Sequence, residues 1–151
     1  MTHSETTQKR AVYTARFFFT LVFLINVQCA LQFIITPEQF IGAYELKGTS
    51  GEIALQGLGI AFLMWNTTYP LFILKPQRYH ALGGIILAQQ IIGLVGESAL
   101  LASLLSAGTG HALLISSIQR FVAFDAAGLV LMSASFIYLL YKTSPHKHQT
   151  Q

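Results

Sequence analysis

Four long apolar stretches divide the chain, and charge falls almost entirely between them. Residues 17–35 and 53–74 carry no charged side chain, residues 81–105 carry only Glu97, and residues 118–141 carry only Arg120 and Asp125. Each stretch exceeds the roughly 18 apolar residues that mark a membrane-spanning helix. The runs are continuous, whereas barrel strands alternate over about ten residues, so helices are the remaining way to satisfy the backbone in lipid. The pattern predicts an all-α fold: an integral membrane bundle of four transmembrane helices forming a single domain over residues 1–151, with disordered tails at 1–9 and 143–151. Lys9, Arg10 and Arg16 precede the first stretch as they would in a secretory signal. Its apolar core is long and no small-residue cleavage site follows, so it reads as a retained helix.

The connections carry their own signals. In TPEQFIGAYEL, Thr36, Pro37 and Gln39 have capping-box spacing with proline at the first helical position, and Phe40, Ile41 and Tyr44 would share a face. A short interfacial helix in the first outer loop is therefore expected. Thr49 and Glu52 repeat the capping-box spacing at the start of the second span. Pro70 kinks or ends that span, and Asn66-Thr67-Thr68, although a glycosylation sequon, lies inside a span and is no acceptor. Trp65 and Tyr69 read as markers of the inner boundary.

Charge then orients the bundle. Lys9, Arg10, Arg16, Lys75, Arg78, Lys142 and Lys147 fall at one side, while the first loop holds Glu38, Glu45 and Glu52 against Lys47 alone. By the positive-inside rule both termini are cytoplasmic. Composition agrees with a membrane protein: 53% of residues are hydrophobic and 10% charged, against about a quarter charged in soluble chains. A formal charge of +3 is too small to suggest nucleic acid as a partner. The single cysteine, Cys29, excludes an internal disulfide and a cysteine-ligated metal site. No histidine falls in mid-span, and there is no phosphate loop, HExxH or nucleophile elbow, so neither metal nor cofactor is expected.

The strongest polar side chains within the spans fall at one depth. At 1.5 Å per residue, Glu97 and Asp125 lie about 10–12 Å from the outer end of their helices, and Gln28 about 10 Å from that of its own. Gln56 sits nearer that surface and Asn66 in the inner half. Glu52, Gln56, Gly59, Leu63 and Asn66 form one helical stripe; Gln90, Gly93 and Glu97 another; Asp125, Gly128, Met132 and Ser135 a third. An ionised side chain facing lipid costs at least about 2.5 kcal/mol, so the stripes are expected to turn inward around a polar outer chamber above an apolar floor. Two acids in such a place need compensation, and Arg120, one turn above Asp125, is the cation placed to supply it unless it extends to the headgroups instead.

The arrangement resembles small bacterial four-helix membrane proteins of the DoxX-like kind. The likeness lies in the layout: a cytoplasmic N-terminus, an outer loop with a short helix, and Gly57-x-Gly59 in the second span. It implies an accessory membrane subunit of a redox or maturation system. The residues themselves leave three functions open. The first is binding of a small hydrophobic molecule, lipid-like or quinone-like, by Gln28, Gln56, Asn66, Gln90, Glu97, Arg120 and Asp125. The second is an isomerase-like acid–base enzyme with Glu97 and Asp125 as its catalytic pair. The third is an accessory subunit whose acids lock the bundle. The expected partners are the lipid bilayer, a lipid-like molecule, and a membrane-protein partner or second copy. The expected location is the bacterial inner membrane.

Overall fold

A computed structural model describes residues 3–108 and 110–143. It contains α1 (His3–Ile35), α2 (Gly48–Asn66), α3 (Tyr69–Leu74), α4 (His80–Ser106) and α5 (Ala112–Thr143). Four segments are long and apolar enough to cross a membrane: Glu5–Ile35, Gly48–Leu74, His80–Ser106 and Ala112–Thr143. Their outward faces carry exposed Ile60, Ile92, Val130 and Ile137, as contact with lipid requires.

The second crossing is broken. Pro70 has no amide hydrogen and its ring crowds the preceding turn, so α2 stops at Asn66 and α3 restarts after two residues. Carbonyls near the end of α2 also accept from side-chain donors. Asn66 Nδ2 donates to Phe62 O (2.7 Å), Thr67 Oγ1 to Met64 O (2.8 Å) and Thr68 Oγ1 to Trp65 O (3.3 Å). The Asn-Thr-Thr triplet is thus the local repair of a helix break.

Around the bundle α1 packs against α2 and α5, α5 against α4, and α3 bridges α1 and α4. The solid core lies at the end holding α3, here the lower end. Ala15, Phe19, Val22, Tyr69, Phe72, Ile86, Met132, Phe136 and Leu139 are all buried there. Phe19 and Phe72 have ring centroids 4.3 Å apart. Gly83 makes this closure possible, since a Cβ on it would stand 2.5 Å from Phe136 and 2.7 Å from Phe72. Arg16 Nη2 caps the end of α3 by donating to Leu74 O (2.6 Å).

Three details differ from the pattern in the sequence. Residues 3–9 continue α1 rather than forming a tail, because Ala11 and Ala15 face the bundle and hold this extension in register; residues 144–151 lie outside the described residues. The first loop forms two 3-10 turns, Pro37–Gln39 and Ile41–Tyr44, in place of one interfacial helix. Neither capping box forms. Thr36 Oγ1 donates back to Gln32 O (3.2 Å), and α2 starts at Gly48 with Lys47 as its cap residue.

The loop also turns inward. Phe40 and Tyr44 stack edge-on against Phe33, with centroids 5.5 and 5.8 Å away. Ser117 Oγ donates to Ala43 O (3.0 Å), and the His111 ring meets the Glu45 carboxylate. Aromatic bulk gains more by covering the bundle end than by lying beside it, and the loop becomes a roof.

A cavity between two unpacked helices

α2 leans on α1 at Gly59, where a Cβ would stand 2.7 Å from Ala30 O. That close approach carries α2 toward α1, and α2 and α4 have no packed interface of their own. Between them opens a cavity of about 650 Å³, within the range of small-molecule sites. α2 contributes Leu58, Phe62, Trp65 and Asn66, and α4 contributes Gln89, Gln90, Gly93, Glu97, Leu100 and Leu104. α5 supplies Ile118, Phe121 and Asp125 as the back wall, Tyr44 hangs from the roof, and Asn26 and Tyr69 form the floor. The wall is mostly apolar. Ile92 and Leu100 at its margin are exposed, which leaves the cleft open toward the lipid side of the bundle.

Both carboxylates lie on this wall, close enough to interact electrostatically. Asp125 is held firmly. Gln90, itself 7% exposed, donates from Nε2 to Asp125 Oδ1 (2.8 Å) and lies 3.3 Å from the Asp125 carbonyl. Gly93 leaves space for the other carboxyl oxygen, for a Cβ there would come within 2.9 Å of Asp125 Oδ2. Glu97 is not held: its Oε2 is buried and has no hydrogen-bond partner. Asn66, 4% exposed, spends its amide nitrogen on Phe62 O and leaves Oδ1 unpartnered. Below them the Tyr69 hydroxyl lies 4.0 Å from Met132 Sδ, with Asn26 beside it on the floor. Above, burial, and after it the Cys29 thiol and Glu97, push the Tyr44 phenol pKa upward, so Tyr44 keeps its proton as a donor.

Of the residues singled out in the sequence, Asn66, Gln90, Glu97 and Asp125 meet on this wall. Three do not join them. Gln28 is exposed on the far side of α1, because the inward stripe runs through Val22, Asn26, Ala30 and Phe33, and two residues turn a helix by more than half a circle. Gln56 donates from Nε2 to Ile34 O (3.1 Å) and ties α2 to the end of α1. Arg120 is exposed, its Nε directed at Ser116 O (3.4 Å), and among the described residues it forms no salt bridge with either acid. The compensation expected from Arg120 is therefore absent from the wall.

Several wall residues escaped the sequence pattern. Asn26 stands one turn from Val22 and from Ala30, so the small and apolar stripe of α1 was the signal for it. Trp65 and Tyr69 read as boundary markers, yet the helix break turns both toward the cleft. Gln89, which stands off the Gln90, Gly93 and Glu97 stripe, also reaches the wall. Tyr44 depends on the roof folding inward, which no periodicity announces.

Among the described residues no three His, Cys, Asp or Glu side chains converge as metal ligands would. No known family, curated protein or solved structure matches the chain. It is a small four-helix membrane protein with no family identified, and the DoxX-like likeness rests on layout alone.

Proposed function

We propose that the protein binds a small hydrophobic molecule, drawn sideways from the bilayer through the gap between α2 and α4. One observation carries this reading: a cavity of about 650 Å³ with an apolar wall and two carboxylates, left open where two neighbouring helices form no packed interface. An accessory subunit whose acids only lock the bundle needs no such space, and Glu97 locks nothing. The unpaired state of Glu97 also keeps an acid–base enzyme in view, with Glu97 as the mobile proton carrier and Asp125, fixed by Gln90, as its partner. The basic residues gather at the lower end, which supports a cytoplasmic position for that end and an outward-facing chamber in a bacterial inner membrane.

Filling the cleft tests the reading. A Cβ on Gly96 meets nothing within 4 Å, so Gly96→Trp adds bulk at the mouth without displacing backbone. Native mass spectrometry of the protein extracted in nanodiscs should show a bound small molecule in the wild type and its loss in Gly96→Trp. A wild type that carries none, or a variant that carries the same one, would sink the proposal.

A further inference from the structure

The unsatisfied atoms of the cavity have a common sign. The buried side-chain atoms on its wall that lack a partner are Asn66 Oδ1, Gln89 Oε1 and Glu97 Oε2, all oxygens. Rotation of the Gln89 amide would present its nitrogen instead, but Asn66 cannot be turned round, since its nitrogen is already fixed on the Phe62 carbonyl, and Glu97 offers only oxygens. No lysine, arginine or histidine lines the cavity. A buried acceptor left without a donor costs about 1–3 kcal/mol, and a carboxylate costs more. The missing component is therefore a donor, and one carrying positive charge also compensates the two acids.

We infer that the ligand is a lipophilic amine: a hydrocarbon body with a protonated amino head, the head set among Asn66, Glu97 and Asp125. This rests on the reading of the cleft as a binding site and adds the class of its occupant. An ammonium group offers three donors on one atom. The aromatic faces of Phe62, Trp65 and Phe121 on the same wall add cation–π attraction. A quinone brings only acceptors and leaves every orphan oxygen as it was. A fatty acid adds a further anion. A hard metal ion needs six to eight oxygens and finds a wall that is mostly apolar.

Three probes with the same tail separate these cases: dodecylamine, dodecanol and dodecanoate, titrated into the full-length protein in nanodiscs against protein-free nanodiscs. Trp65, the single tryptophan, lies on the wall and reports occupancy by its emission; native mass spectrometry counts the adduct. The amine should bind at least about tenfold more tightly than the alcohol, the scale of one charge-assisted hydrogen bond. Dodecanoate should bind least. Glu97→Gln, and separately Asp125→Asn, should each remove most of the amine's advantage over dodecanol, while an unchanged helical circular-dichroism spectrum and an unfolding transition in mixed micelles report that the variants are folded. Equal binding of amine and alcohol, or an advantage that survives in both variants, overturns the amine assignment and leaves the binding site standing. If no probe binds while a molecule still co-purifies in a Gly96-dependent way, the amine assignment falls alone. If no probe binds and nothing co-purifies, both fall.

Discussion

Below the level of Tyr69 the helices close on aromatic side chains; above it α2 and α4 stand apart around a mostly apolar cleft that holds two carboxylates. Both ends draw on similar residues, phenylalanine, leucine and glycine, so composition does not separate them. Glycine placement and the helix break do. At the lower end Gly83 faces Phe72 and Phe136, and α3 fills the interval between α1 and α4. At the upper end Gly59 draws α2 onto α1 and away from α4, while Gly93 makes room for a carboxylate. A glycine on an inward stripe can thus let backbones touch or let a polar side chain in, and only the neighbour decides which.

The contrast predicts opposite responses to similar substitutions. Phe72→Ala should have the largest effect. It is fully buried, and losing a ring of about 100 Å³ at about 24 cal/mol per Å³ leaves a cavity costing about 2 kcal/mol. The water-transfer part of the usual penalty is absent, since the exposed alternative is lipid. Equilibrium unfolding in mixed micelles measures this; a loss below about 0.5 kcal/mol would mean that the lower end is not solid.

Asn66→Leu should go the other way. It sacrifices the bond to Phe62 O but removes an orphaned oxygen, so stability should rise by about 1 kcal/mol while ligand binding is lost. A drop in stability of that size would indicate that Oδ1 has a partner. Gly96→Trp should change stability by less than about 0.5 kcal/mol, because its side chain enters existing space. The smallest effect belongs to the roof. The half-exposed pair of His111 and Glu45 should contribute less than about 1 kcal/mol, so His111→Ala should leave unfolding almost unchanged. It should speed amide hydrogen exchange across residues 41–46, where Leu46 N donates to Ile41 O (2.9 Å). Unchanged exchange there would show that the roof is held by Phe33 and Ser117 alone.

Much of the bundle was legible in the apolar runs because a bilayer imposes one length and one backbone solution on every crossing. Pro70 announced the break as well. The acids were legible because ionisable groups are rare in spans, and the stripes that turned Glu97, Gln90, Asp125 and Asn66 inward do place all four on one cleft. It failed for Gln28, since a single polar residue does not define a face, and Asn26 two positions earlier held the inward direction. It failed for Arg120 because depth along a helix says nothing about where a long side chain ends. The roof was hidden for a different reason: 3-10 turns have no apolar period of their own, and the first loop folds inward through contacts with Phe33 and Ser117, distant in sequence.

A density map of the protein in lipid nanodiscs examines the gap between α2 and α4 directly. An elongated feature should lie between Leu58 and Leu100, with its polar end against Asn66 and Glu97. Density showing α2 packed on α4 with their side chains filling the gap, or the helix of a second copy seated in it, would contradict a binding cavity open to the bilayer.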